Sequence, residues 1–416
     1  MVLSRRVGAL KPSSTLAVNA KAAALKAQGV KVLSFAAGEP DFDTPQRIKA
    51  SAIEALTRGE TKYCPVPGDM ATRAVLADKL SKENGIPGVT AEHVVISSGG
   101  KHSLYLVFQS LIDPPGAGEE PWEVLLPVPA WVSYAPQVEL AGGRVVELLT
   151  EARGDFKITP DQLRRAITPR SRALVLNSPS NPCGTMYTPE ELRAIGLVAA
   201  EAARTVAPEL VVISDELYEK VIFGGIPHFS IGSMPELAGR TVTVNGLSKA
   251  FAMTGWRLGY AAGSGEFGLA LSKAMQTLQS QSTTSVASFE LPAIRTAITQ
   301  CGEEVEQMRR AFARRAELID GLVRRIPGLI SPRPTGAVYI FPDVSAHFGK
   351  RSPGGVLIES ASSFASALLD EQRVACVPGE DFGSGGERCC RFSFACSDEQ
   401  ISEGMERLGA FVASLR

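Results

Sequence analysis

The sequence predicts an α/β fold with a large domain, a mostly parallel sheet flanked by helices, plus a smaller α+β domain formed by both termini. Three observations predict it. The chain has 416 residues, more than one ordinary hydrophobic core accommodates, so two domains are expected. Short apolar runs alternate with longer helical patterns between about residues 90 and 265, the rhythm of a parallel sheet with crossover helices. After about residue 305 that rhythm gives way to one charged helix and a few short strand candidates.

The runs at 93–97, 123–127, 173–177, 211–214, 241–245 and 258–262 are continuously apolar, as strands covered on both faces are. Residues 103–112 and 189–205 between them carry helical patterns. Polar residues and glycines gather where runs end: Ser97-Ser98-Gly99-Gly100, Asn177-Ser178-Pro179, Ser214-Asp215-Glu216 and Asn245-Gly246-Leu247-Ser248-Lys249. Open α/β sheets bind ligands outside the carboxyl ends of their strands, so four clusters on one edge would make a site. Further on, a charged helix at 303–325 precedes strand candidates at 337–341, 374–378 and 390–395. Residues 15–28 are helix-like and stand apart from the strand series. The expected division is therefore 1–45 as an arm and part of the small domain, 46–305 as the large domain, and 306–416 as the rest of the small domain.

Composition excludes several classes of function. Apolar residues make up 44% and charged residues 21%, close to an average globular protein. Lys plus Arg is 43 against 44 for Asp plus Glu, so no nucleic-acid or anionic-membrane surface is expected. No apolar run reaches bilayer length, and residues 1–12 lack the apolar core of a signal peptide. Seven scattered cysteines lack zinc or redox-motif spacing, so the expectation is no metal site and reduced thiols in a cytoplasmic protein.

Each cluster carries modest chemistry alone. Gly99-Gly100-Lys101 after a strand can present backbone N–H groups to an anion, although a plain turn explains it equally well. A proline-rich turn at 178–184 can hold the Asn181 amide toward a ligand. Asp215 at a strand end needs a cation to stay ionised if buried, or else serves as a helix cap. Lys249 sits in a Gly/Ser loop, where burial near other cations makes an amine nucleophilic. Arg257, eight residues on, can return to grip a phosphate. A solvated surface lysine is the plainer reading of Lys249.

In this order the motifs resemble the class I aminotransferases of fold type I, which use pyridoxal 5'-phosphate, and in particular the bacterial-type aspartate and prephenate aminotransferase branch. The likeness runs from Lys11-Pro12-Ser13-Ser14-Thr15 and Ala37-Gly38-Glu39-Pro40 to Arg391-Phe392-Ser393, with Thr61-Lys62-Tyr63 and Trp131-Val132-Ser133-Tyr134 between. It implies Lys249 as the Schiff-base lysine and proton carrier, and Asp215 as the partner of the cofactor's pyridine N–H. It implies Tyr218 and Asn181 on the cofactor's phenolate oxygen and Trp131 stacked on its ring. Gly99, Gly100, Lys101, Ser248 and Arg257 match the phosphate region, and Tyr63 the phosphate-binding tyrosine lent by a second subunit, hence a homodimer. Arg391 and Gly38 correspond to the substrate α-carboxylate clamp, to which Trp131 and Asn181 also contribute. Lys101 and Thr15 stand where this branch holds a distal carboxylate. Gly246 departs from a phosphate-binding Ser, Cys183 from a Thr, and Ala130 from a Tyr.

The resemblance implies ping-pong transfer of an amino group between aspartate or glutamate and a 2-oxo acid, oxaloacetate, 2-oxoglutarate or prephenate. A β-lyase or cyclopropane-carboxylate synthase keeps the same Lys, Asp and Arg and is the alternative. A nicotinamide-dependent oxidoreductase is disfavoured by the missing G-x-G-x-x-G turn. A regulator with a DNA-binding module is disfavoured by balanced charge and a likeness that begins at residue 11.

Overall fold

The computed structural model describes residues 4–10 and 14–416; side chains at 5, 9, 14–17 and 19 are outside the description. Its strands are β1 (Leu33–Ser34), β2 (Val94–Ser98), β3 (Glu123–Val128), β4 (Arg144–Leu149), β5 (Ser171–Asn177) and β6 (Val211–Asp215), then β7 (Thr241–Gly246), β8 (Leu258–Ala262), β9 (Tyr339–Ile340), β10 (Val374–Ala375), β11 (Val377–Pro378) and β12 (Cys390–Ser393). Seven of them form one sheet in the order β2-β8-β7-β6-β5-β3-β4. Within it β8 alone runs antiparallel to its neighbours. The sheet is the mostly parallel one that the apolar runs predict.

Continuous rather than alternating hydrophobicity follows from burial on both faces. Val124, Leu126, Ala173, Val175, Val211 and Ile213 point into one core layer. Their neighbours Leu125, Leu174, Leu176 and Val212 point into the opposite layer, beneath the helix Pro189–Thr205. Successive strand residues face opposite ways, so two buried faces demand apolar residues at every position. Thr188 caps the covering helix reciprocally with Glu191, which fixes its start.

A second core gathers around the helix Gly302–Val323 and contains Phe35, Phe312, Ile340, Val374, Phe392 and Phe411. There β1 pairs with β10, and β12 lies between β11 and β9. The N-terminal segment thus hydrogen-bonds to the C-terminal one across more than 300 residues, through Leu33–Val374 and Ser34–Ala375. The helix Gly302–Val323 runs unbroken through position 305.

Three local expectations differ from the structure. The strand expected at 374–378 divides at Cys376 into β10 and β11, which pair in different sheets. The helix expected at 103–112 spans Gly100–Leu111, because Gly99 turns the chain at a φ of 85° and the helix starts at once. Low glycine propensity hides such a start. The strand expected at 337–341 shrinks to Tyr339–Ile340, since Ala337 sits in the left-handed region at a φ of 56°. No described helix is long and apolar enough to cross a membrane.

Candidate active site

Parallel strands bring their carboxyl ends to one edge, and the predicted clusters meet there. Gly99 follows β2, Asn181 follows β5, Asp215 ends β6, and Ser248 and Lys249 follow β7. Arg391, from β12 of the other core, reaches the same place. Its Nη1 donates to Asn181 Oδ1 at 2.9 Å and its Nη2 to the Ala36 carbonyl at 2.9 Å. Lys249 Nζ donates to the Gly38 carbonyl. The chain therefore joins Gly38, Asn181, Lys249 and Arg391 across four segments.

The electrostatics of this group are unusual for a closed fold. Arg391 is 4% exposed, pairs with no carboxylate among the described residues, and its Nε has no partner. Burial lowers its guanidinium from its ordinary value. Burial also holds the Lys249 amine below its usual range, with Arg391 and Arg257 adding to that against Tyr339 and Glu39. Asp215 is 5% exposed and faces no cation among the described residues; burial lifts its carboxyl from 3.8 to about 6. Its oxygens accept from Tyr134 Oη at 2.6 Å and from the Leu217 N–H at 3.2 Å. Each is a charge without its counter-charge, in a place where unpaired charges are costly.

A cationic rim lies alongside. The Arg257 guanidinium packs on Gly99, where a Cβ would meet Nη2 at 2.5 Å, and donates to the Thr254 carbonyl at 2.8 Å. Gly99 must be glycine for that approach and for its positive φ. Gly100 opens the helix Gly100–Leu111, whose N-terminal N–H groups face the same edge. Lys101 Nζ stands 5.0 Å over the Trp131 ring. Partial desolvation and Arg257 lower its amine. Gly246 is explained sterically: a Cβ there would sit 3.0 Å from the Leu258 carbonyl and 3.1 Å from Leu217 Cδ1, so a serine has little space.

Of the remaining predicted residues, one is not brought in and one cannot be placed. Tyr63 is 92% exposed and touches none of the others. Thr15 lies in the helix Ser14–Ala27, but its side chain falls outside the described residues.

Other residues of the site went unassigned in the sequence. Tyr134 holds Asp215 and packs edge-on against Trp131, centroids 5.3 Å apart. Tyr339 places its hydroxyl 2.8 Å from that of Tyr218 and its ring 4.6 Å under Arg391. A buried network also backs Asp215. Glu216 accepts from Ser214, Ser230, Asn84 and the imidazole of His228, while Lys79 and Asn84 bind Glu219. Glu216, Glu219 and His228 bring metal-type donor atoms within 4.8 Å of one another. Lys79 already occupies that cluster. Burial would lower His228, but Glu216 and Glu219 raise its imidazole above the ordinary value. Burial would raise Glu219, but Lys79 and His228 pull it down to about 2. Two acids and two bases thus compensate without a metal. The signal in the sequence for such a network is the pair of acids Glu216 and Glu219 just past the end of β6.

Comparison with known proteins agrees with this geometry. The family model for aminotransferases of class I and II matches residues 30–408. An aspartate aminotransferase of Geobacillus stearothermophilus is 42% identical over 99% of each chain. An aspartate/prephenate aminotransferase of Thermus thermophilus is 43% identical over 97% of each. A solved aspartate aminotransferase of Thermus thermophilus with maleate superposes with a TM-score of 0.88 at 41% identity, covering 99% of this chain and all of that one. With a site built at the carboxyl edge and a likeness that spans both cores, the chain belongs to the class I and II aminotransferases.

Proposed function

We propose that the chain is a pyridoxal-phosphate-dependent transaminase that moves an amino group between aspartate or glutamate and a 2-oxo acid. One observation carries the reading: buried Arg391 lacks an anion, buried Asp215 lacks a cation, and the Lys249 amine at the same sheet edge is held below its usual range. A zwitterionic substrate and a cofactor with a pyridine nitrogen and a phosphate supply the missing charges. The donor set fits that cofactor. Asp215 would hold the pyridine nitrogen, Trp131 the ring, and Tyr218 and Asn181 the phenolate oxygen. Gly99, Gly100, Lys101, Ser248 and Arg257 would hold the phosphate. When bound, the cofactor supplies an electron sink for the carbon that loses its proton.

The chain's own residues do the rest. Arg391 clamps the substrate α-carboxylate through two parallel N–H donors, with the Gly38 backbone beside it. Asn181, already bonded to Arg391, orients that clamp. Lys249 Nζ, whose burial disfavours the charged ammonium form, takes the proton from substrate Cα and returns it. A second 2-oxo acid then retraces the steps. Exposed Tyr63 supports a homodimer in which each subunit lends this tyrosine to its partner's phosphate site. Lys101 and Thr15 are the candidates for a distal carboxylate, and a relative solved with maleate, a dicarboxylate, supports acidic substrates. Relatives named for prephenate extend the acceptor set to that diacid. We place the domain division at 45 and 305, and seven free thiols support a reducing, cytoplasmic setting.

A panel of donors (aspartate, glutamate, alanine) against acceptors (oxaloacetate, 2-oxoglutarate, prephenate) tests the reading. Amino transfer between acidic pairs is expected, with borohydride labelling on Lys249 in the wild type and none in Lys249→Ala. Release of pyruvate and ammonia without transfer would replace it with the β-lyase alternative.

A further inference from the structure

We propose that Tyr339 is a positioning residue that donates its phenolic proton to Tyr218 and supports Arg391 with its ring, linking the carboxylate clamp to the cofactor-facing phenol. The inference rests on the cofactor reading above, and nothing in the sequence motifs points to this tyrosine.

Strand register creates the contact. On β9, Tyr339 pairs with Ser393 of β12, and Arg391 lies two residues before Ser393. Residues two apart share a face, so Arg391 is the diagonal neighbour of Tyr339, within reach of an aromatic ring. The guanidinium carbon lies 4.6 Å over that ring. Tyr339 is 2% exposed, and its ring meets that of Tyr218 edge-on with centroids 5.9 Å apart. The two hydroxyls are 2.8 Å apart, and among the described residues no other hydrogen bond reaches either. Gly38 leaves room for the arrangement, since a Cβ there would stand 2.0 Å from Tyr339 Oη. The close approach that requires glycine at 38 is therefore to this hydroxyl.

Proton counting assigns the direction. Two phenols carry two protons, and their mutual bond uses one. If Tyr218 directs its own proton at the cofactor's phenolate oxygen, Tyr339 is the donor within the pair. Donation into Tyr218 Oη polarises the Tyr218 O–H and makes it a stronger donor. The charged and titratable groups facing the pair are Arg391 from β12, Asp215 from β6, Lys249 after β7 and Tyr134 at the start of the helix Tyr134–Ala141. Tyr218 stabilises the cofactor form that carries negative charge on the phenolate oxygen, so a weaker Tyr218 favours the protonated form.

The test is a pH titration of the visible absorption of the reconstituted protein, with steady-state kinetics and thermal midpoints alongside. Tyr339→Phe removes only the hydroxyl. It is expected to move the absorption midpoint upward by about 0.5–1 pH unit, the scale of one hydrogen bond. Its KM for an acidic substrate stays within about twofold, because the ring remains under Arg391. Tyr339→Leu also removes the ring and is expected to raise KM roughly 2- to 30-fold, from the lost cation–π contact. An absorption titration of Tyr339→Phe that superimposes on the wild type, with or without a lower thermal midpoint, overturns the inference while leaving the cofactor reading intact. A wild type that takes up no cofactor overturns both.

Discussion

Asp215→Asn makes the cofactor-free protein more stable at alkaline pH while it disables the loaded one. Burial lifts Asp215 from 3.8 to about 6 in the folded chain, despite hydrogen bonds from Tyr134 and Leu217 that pull the other way. A carboxyl whose folded pKa exceeds its unfolded one costs nothing below about 3.8. The cost grows as pH rises and is complete above about 6. At about 1.4 kcal/mol per pH unit, the ionised form costs the folded protein about 3 kcal/mol at pH 8. Asparagine has the same shape and no charge to bury, and it still offers Tyr134 an acceptor. Some of the gain is lost because the asparagine amide then turns its NH2 toward the Leu217 N–H, a lost acceptor that costs about 1 kcal/mol at every pH. A net gain of about 2 kcal/mol at pH 8 is expected, turning into a loss of about 1 kcal/mol near pH 4. Urea unfolding of both cofactor-free proteins at intervals from pH 4 to pH 8 measures it. A difference that does not depend on pH, or a less stable variant at pH 8, would refute the argument that Asp215 is held as an uncompensated charge.

Three further outcomes follow from other parts of the site. Gly38→Ala drives a methyl into the Tyr339 hydroxyl and is expected to cost about 1–3 kcal/mol, with a raised KM, measured by denaturation and kinetics. Lys101→Met separates two roles: a distal-carboxylate contact raises KM for aspartate about tenfold and leaves alanine unchanged, whereas a phosphate contact weakens cofactor retention for both, read by dialysis. His228→Gln removes a charge-assisted bond to Glu216 worth about 1.5–3 kcal/mol. Because Glu216 and Glu219 raise His228 in the fold, that stability is fully present below about 6.5 and lost as pH rises through the higher folded value. The wild-type thermal midpoint should therefore decline over that range, and the variant's decline should be smaller.

The sequence alone specified the sheet and its functional edge. Unbroken apolar runs such as 173–176 and 211–213 report burial on two faces, and the residues that follow them, Asn177, Asp215 and Lys249, report strand ends. Local pattern encodes these features, so they are legible one segment at a time. The start of the helix at Gly100 and the short β9 were less legible, because glycine propensity and a left-handed Ala337 depend on their surroundings. Side-chain partners were decided only by the tertiary structure. Tyr134 meets Asp215 from 81 residues away, Tyr218 meets Tyr339 from 121, and Asn181 meets Arg391 from 210. No periodicity links such positions. Strand order and the register of β9 on β12 bring them together, and burial then decides which charges await a ligand.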